Sequence, residues 1–151
     1  MTAYFWDSSA LAALLFDERF SPAVREYNRA HKAIRGYVSF FSELEMESVF
    51  QRKINRGDVE AGDREEYRSL VRGLLSNMVV LNTDGPSVEQ ARRLISEYSL
   101  RAADALQLAA ARALLVRFDR VEFLTFDEKL NRTARAEGLG TPFLGKGVVS
   151  S

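Results

Sequence analysis

Acidic side chains sit mostly on solvated surface, yet four of the 21 acids in this 151-residue sequence stand where solvation is hard to reach. Asp104 lies in Leu100-Arg101-Ala102-Ala103-Asp104-Ala105-Leu106-Gln107-Leu108-Ala109, and its helical neighbours at i−4 and i+4 are Leu100 and Leu108. An isolated ionised carboxylate on such a stripe is costly unless a cation pairs with it or a metal binds it. Arg101, three residues earlier, offers the competing solution of a local ion pair. Asp7 follows the aromatic run Tyr4-Phe5-Trp6, and Asp127 follows Val121-Glu122-Phe123-Leu124 by three residues. Each of these two is also placed to start a helix, where aspartate caps well. The fourth acid comes from Glu43, Glu45 and Glu47. At 100° per residue Glu43 and Glu47 share a stripe, whereas Glu45 falls between Phe41 and Val49 on the apolar side, which favours Glu45.

Four carboxylates that converge can hold a cation. The sequence has no cysteine and one histidine, His31, which reads as a surface residue. An all-oxygen donor set suits hard cations such as Mg²⁺ or Mn²⁺, one or two of them, rather than zinc. Such a centre activates water and neutralises charge developing on a phosphodiester. Without metal the acids repel one another, so metal binding is expected to stabilise the fold. The absence of cysteine also excludes a disulfide framework and a cysteine nucleophile, and it permits a reducing compartment. Basic and acidic residues cancel to a formal net charge of zero, so any polyanion must be held by local patches rather than by a long-range field.

The elements that would carry these acids alternate. Tyr4-Phe5-Trp6 reads as a buried strand that runs into a helix through Asp7-Ser8-Ser9, with Ser8 or Ser9 able to cap it. Gly36-Tyr37-Val38 reads as a second strand, Phe40 to about Asn55 as a helix, and Val59 to Leu75 as a polar helix after the Gly57-Asp58 break. Met78 to Leu81 is a third strand. Thr83-Asp84-Gly85-Pro86 opens a helix to about Tyr98, and the alanine-rich stretch from Leu100 to about Arg117 is a helix that neighbours can approach closely. Val121 to Leu124 is a fourth strand, Thr125 to Glu128 has the spacing of a capping box, and Pro142-Phe143-Leu144 is expected as a short edge strand. Alternation of this kind implies an α/β fold with a mainly parallel sheet of four to five strands covered on both faces, one domain over residues 1–144 and a flexible tail over 145–151. In an open parallel sheet, strand ends such as Asp7 and Asp127 gather on one side.

With these motifs in order, the chain resembles the PIN-domain family, and within it the VapC toxins. Tyr4-Phe5-Trp6-Asp7-Ser8-Ser9-Ala10-Leu11 is similar to the family's opening strand and aspartate. Ser39, Glu45 and Arg52 match the second acidic motif, which supports Glu45 over Glu43. Arg101 to Ala109 matches the third, with Gln107 where histidine is common, and Phe123 to Leu130 with Ala134 to Leu139 the fourth. The resemblance spans nearly the whole chain. It implies a three-layer α/β/α sandwich and Mg²⁺- or Mn²⁺-dependent endoribonuclease activity carried by Asp7, Glu45, Asp104 and Asp127. Thr125 and Ser8 would be supporting residues, the protein a homodimer, and its inhibitor a small antitoxin.

RNA contact would fall to basic residues such as Arg52, Lys53 and Arg56, or Arg132 and Arg135, although a solvated helix face explains them equally well. The apolar positions Leu11, Leu14, Leu15 and Phe16 are mostly core, with part of that face available to a dimer or antitoxin. The stretch from Met1 to Phe16 lacks a basic segment and carries Asp7 in its middle, so it reads as core rather than as a signal peptide. No run reaches the ~20 apolar residues of a membrane span, and the expected location is the cytoplasm. Two other functions compete with the toxin: an RNA-processing nuclease of the same fold, and a catalytically silent RNA-binding or interaction module. A phospho-aspartate phosphatase would need a second acid two residues after Asp7, where Ser9 stands.

Overall fold

A computed structural model describes residues 1–146 of the chain. The strands are β1 (Thr2–Trp6), β2 (Tyr37–Ser39), β3 (Val79–Leu81) and β4 (Arg120–Leu124), all parallel, in the spatial order β3-β2-β1-β4. The helices are α1 (Ser8–Leu15), α2 (Ser21–His31), α3 (Ser42–Asn55), α4 (Arg64–Leu75), α5 (Gly85–Tyr98), α6 (Ala102–Ala113) and α7 (Glu128–Ala136).

Side chains alternate across β1, and this divides the core in two. Trp6 joins α1 to α4 through Ala10, Leu11, Val24, Met46, Phe50, Tyr67 and Val71. Ala3 and Phe5 point the other way and join α5, α6 and α7 through Leu94, Leu108 and Leu130. The result is three layers, helices on both faces of one sheet. Chain direction explains the partition. From β1 the chain steps through β2 to β3 with helices on one face, then turns back to place β4 on the far side of β1. Right-handed crossovers reverse face when direction reverses. The sheet therefore has its switch point between β1 and β4, and a crevice opens there at the carboxyl ends of the strands.

Local chemistry holds these strands in register. Phe5 and Phe123 are paired across β1 and β4 and stack with ring centroids 5.5 Å apart. The Trp6 indole N–H donates to the Ala33 carbonyl at 2.7 Å, anchoring the turn before β2. Gly36 sits in that turn because a Cβ there would lie 2.3 Å from the Tyr4 carbonyl oxygen.

The fold departs from the sequence pattern in a few places. Helix α2 occupies a stretch in which the sequence marked no element; Ser21 and Val24 are its buried residues. Helix α4 begins at Arg64 rather than Val59, after a 3₁₀ turn at Ala61–Asp63. Residues 142–144 form a turn, not an edge strand. The place beside β4 is taken by Gly140, which exchanges backbone hydrogen bonds with Val121 and Phe123 at 2.8 Å each. Pro142 then has no N–H to continue a ladder, and Phe143 is buried against Phe126. The expected tail begins at Gly145, whose N–H donates to the Glu128 carboxylate at 3.0 Å; residues 147–151 of it lie outside the described residues. No helix among the described residues is long and apolar enough to cross a membrane.

Candidate metal centre

The switch-point crevice receives four acids from four helix starts. Asp7 is the N-cap of α1 and Asp127 the N-cap of α7. Asp104 lies in the first turn of α6, and Glu45 in the first turn of α3. Helix amino termini carry partial positive charge, which offsets part of the cost of gathering like charges. The repulsion remains visible. The Glu45 carboxyl is pushed up to about 7 by burial, then by the charges of Asp7 and Asp104. The Asp104 carboxyl is pushed up to about 6 by burial, then by Asp7 and Asp127. Each of the four is thus within electrostatic reach of at least one other.

Asp7 is the buried member, 5% exposed, and it is held by two hydroxyl relays. The Ser9 hydroxyl donates to Asp7 Oδ2 at 2.8 Å and accepts from the Phe126 N–H at 3.0 Å. The Thr125 hydroxyl donates to the same oxygen at 2.7 Å and accepts from the Asp127 N–H at 3.1 Å. Each hydroxyl spends its one hydrogen on Asp7, so the 3.1 Å approach between Ser9 and Thr125 is a close contact rather than a third donation. These relays tie the loop after β1 to the loop after β4. They also revise two capping expectations. Asp127, not Thr125, caps α7, accepting from the Leu130 N–H at 3.1 Å. Neither Ser8 nor Ser9 caps α1, whose N-cap makes no side-chain bond. Ser9, rather than Ser8, is the serine that reaches the Asp7 carboxylate.

The three glutamates of α3 separate cleanly. Glu47 pairs with Arg64 at 3.1 Å and Arg68 at 2.6 Å, and Glu43 lies 3.7 Å from Arg72, both toward α4. Glu45 turns instead to α6, where the Gln107 amide donates to its Oε1 at 2.6 Å. Asp104 forms no ion pair with Arg101 within 4 Å among the described residues, although the Arg101 and Lys129 charges lower its carboxyl somewhat. Arg52 does the same for Glu45. Arg101 and Lys129 were not marked as phosphate contacts by the sequence, yet both stand near the acids and are exposed. Lys53 is unsuited to that task. Its ammonium pairs with Glu18 at 2.8 Å over the Phe16 ring, and its side chain is 12% exposed. Arg56 is exposed and paired with Asp58 at 3.4 Å.

Sequence reasoning passed over Ser9 and Gln107 as working residues. Gln107 left a signal, being the polar residue inside the run from Ala105 to Ala111; Ser9 left a weaker one, two residues past Asp7.

The donor set fits a hard divalent cation, since the four acids gathered there offer carboxylate oxygens and no nitrogen or sulfur ligand. Among the described residues no three His, Cys, Asp or Glu side chains are placed so that they could together hold a metal ion.

Comparison with known proteins gives a consistent family. The PIN domain model matches residues 4–136. No curated protein matches. Among solved structures, a toxin–antitoxin complex from Klebsiella pneumoniae is similar with a TM-score of 0.61 and 24% identity, over 94% of this chain and 99% of that one. A protein from Pyrobaculum aerophilum is similar with a TM-score of 0.59 and 17% identity, over 87% of this chain and 79% of that one.

Proposed function

The chain belongs to the PIN-domain family, and from that premise we propose that it is a divalent-metal-dependent endoribonuclease, the toxin of a toxin–antitoxin pair. The observation that carries the proposal is the convergence of Asp7, Glu45, Asp104 and Asp127, with the carboxyls of Glu45 and Asp104 raised by burial and then by the charges of neighbouring acids. A group of acids that destabilises itself at neutral pH is explained by the cation it would bind.

When bound, Mg²⁺ or Mn²⁺ supplies water activation and neutralisation of developing charge. The chain's own residues do the rest. Asp7, fixed by Ser9 and Thr125, would hold the ion together with Asp104, Glu45 and Asp127. Arg52, Arg101 and Lys129 would take the phosphates of a single strand laid across the crevice. An electrostatic grip of this kind weakens as salt rises, and so should cleavage.

The toxin role is supported by likeness of fold to a chain whose structure is a toxin–antitoxin complex. A homodimer and an antitoxin both need apolar surface. Leu11 is buried and Leu14, Leu15 and Phe16 are packed on the core, so that face is largely used up. The exposed apolar side chains include Phe40, Leu44, Leu70, Val79 and Val80, and the partners would use these.

The test is cleavage of single-stranded RNA by the wild-type chain in Mg²⁺ against EDTA, with Asp7→Asn and Asp104→Asn alongside. Metal-dependent cleavage that both variants abolish without unfolding is expected. Unchanged cleavage in both variants would contradict the mechanism, and metal binding without turnover would point to a catalytically silent module. A small antitoxin-like reading frame beside the gene is expected from the toxin role; its absence would leave a processing nuclease.

A further inference from the structure

Gln107 is fully buried on α6, three residues after Asp104, and its Nε2 reaches across to Glu45 Oε1 on α3 at 2.6 Å. The amide is only half satisfied, because its Oε1 is buried with no hydrogen-bond partner. Burying an unpaired acceptor destabilises a fold, and an aliphatic side chain of the same shape would remove that penalty. Packing alone does not account for the residue.

Its partner gives a better account. Glu43 and Glu47, on the same helix, face arginines that neutralise them. Glu45 faces a neutral donor. A guanidinium there would discharge the carboxylate and compete with a cation, whereas an amide N–H fixes one oxygen and leaves the negative charge in place. Carboxylates that bind metals are held in this way by outer hydrogen bonds.

We propose that Gln107 is the positioning residue for Glu45, tying Oε1 to α6 so that the remaining oxygen and the full charge are offered to a divalent cation between α3 and α6. The proposal rests on the metal-nuclease reading and adds to it a residue outside the acidic set. It also separates stability from function, because the half-satisfied amide costs the fold what it supplies to the site.

The experiment compares full-length wild type, Gln107→Leu, Gln107→His and Asp104→Asn by thermal unfolding in EDTA, by Mn²⁺ titration and by single-turnover cleavage of single-stranded RNA. Gln107→Leu should unfold in EDTA at or above the wild-type temperature. It should nevertheless show a loss of about 10- to 100-fold in Mn²⁺ affinity or in kcat, with KM for RNA held within about twofold. Gln107→His, which restores an N–H donor, should recover most of the loss. Wild-type Mn²⁺ affinity and kcat in Gln107→Leu would overturn the proposal. So would a Gln107→Leu defect that tracks lost stability and is not recovered by histidine. Failure of the nuclease reading looks different: wild type does not cleave, or Asp104→Asn cleaves as well as wild type. The Mn²⁺ titration then still decides whether Gln107 positions Glu45.

Discussion

One hydrogen on the Thr125 hydroxyl serves Asp7 while its oxygen serves the Asp127 N–H, so removing it disturbs two acids at once. Thr125→Val keeps the shape and is expected to lower RNA cleavage about 10- to 100-fold at a stability cost of only about 1 kcal/mol. Single-turnover rates set beside urea denaturation check this; equal activity in the valine variant would mean the relay does no work. Ser9→Ala breaks the second relay and should act in the same direction. Residues of this kind are hard to see in a sequence. The acids stood out because a charge on an apolar stripe is expensive, as at Asp104 between Leu100 and Leu108. A serine or threonine beside a strand end has an ordinary alternative as a helix cap. Only the close approach of the loops after β1 and β4 shows that Ser9 and Thr125 are spent on Asp7.

At the scale of elements, the layer formed by α5, α6 and α7 is tied by Glu137 at the end of α7. Its carboxylate takes Arg93 in a very short ion pair, Tyr98 at 2.6 Å and Arg112 at 3.0 Å. The Arg93 hydrogen bond, ahead of those from Tyr98 and the charge of Arg112, holds the Glu137 carboxyl below the usual glutamate range. A folded-state pKa depressed in this way contributes stability at neutral pH, and the contribution is lost as pH falls through the folded value. Glu137→Ala is therefore expected to cost about 2 kcal/mol at pH 7 and less in acid. That is below the roughly 3 to 5 kcal/mol of a fully buried pair, because both arginines are about a third exposed and can be rehydrated. Denaturation at pH 7 and pH 3 reads the difference, and an equal cost at both would contradict it. The elements were legible where the pattern was strong, as in the alanine-rich α6 and the apolar run at β3, although that run reads as a buried strand and Val79 and Val80 are exposed. They were obscure where tertiary contacts decide. Helix α2 buries little along its length, and 142–144 looks strand-like until Gly140 is seen occupying the edge of β4.

For the whole molecule, gathering the acids makes stability depend on pH and metal together. The folded-state carboxyls of Glu45 and Asp104, at about 7 and about 6, lie above their unfolded values. Their contribution is fully present below the ordinary carboxylate range and is lost as pH rises through 6 and 7, so the metal-free chain should weaken over that window. A cation reverses the trend, since protons and metal compete for the same oxygens. Mn²⁺ at about 100 times its Kd should raise Tm at pH 8 by about 5 to 10 °C, and by much less at pH 5. A shift independent of pH would mean the ion binds elsewhere. For the same reason Asp104→Asn should raise the Tm of the metal-free chain at pH 8 while abolishing cleavage, a trade of function for stability. The most direct test of the account is anomalous scattering from a crystal of the chain soaked in Mn²⁺. The predicted result is a peak at the carboxyl ends of β1 and β4, within coordination distance of Asp7 and Asp104 and flanked by Glu45 and Asp127. No peak there, in a protein that still cleaves RNA, would contradict it.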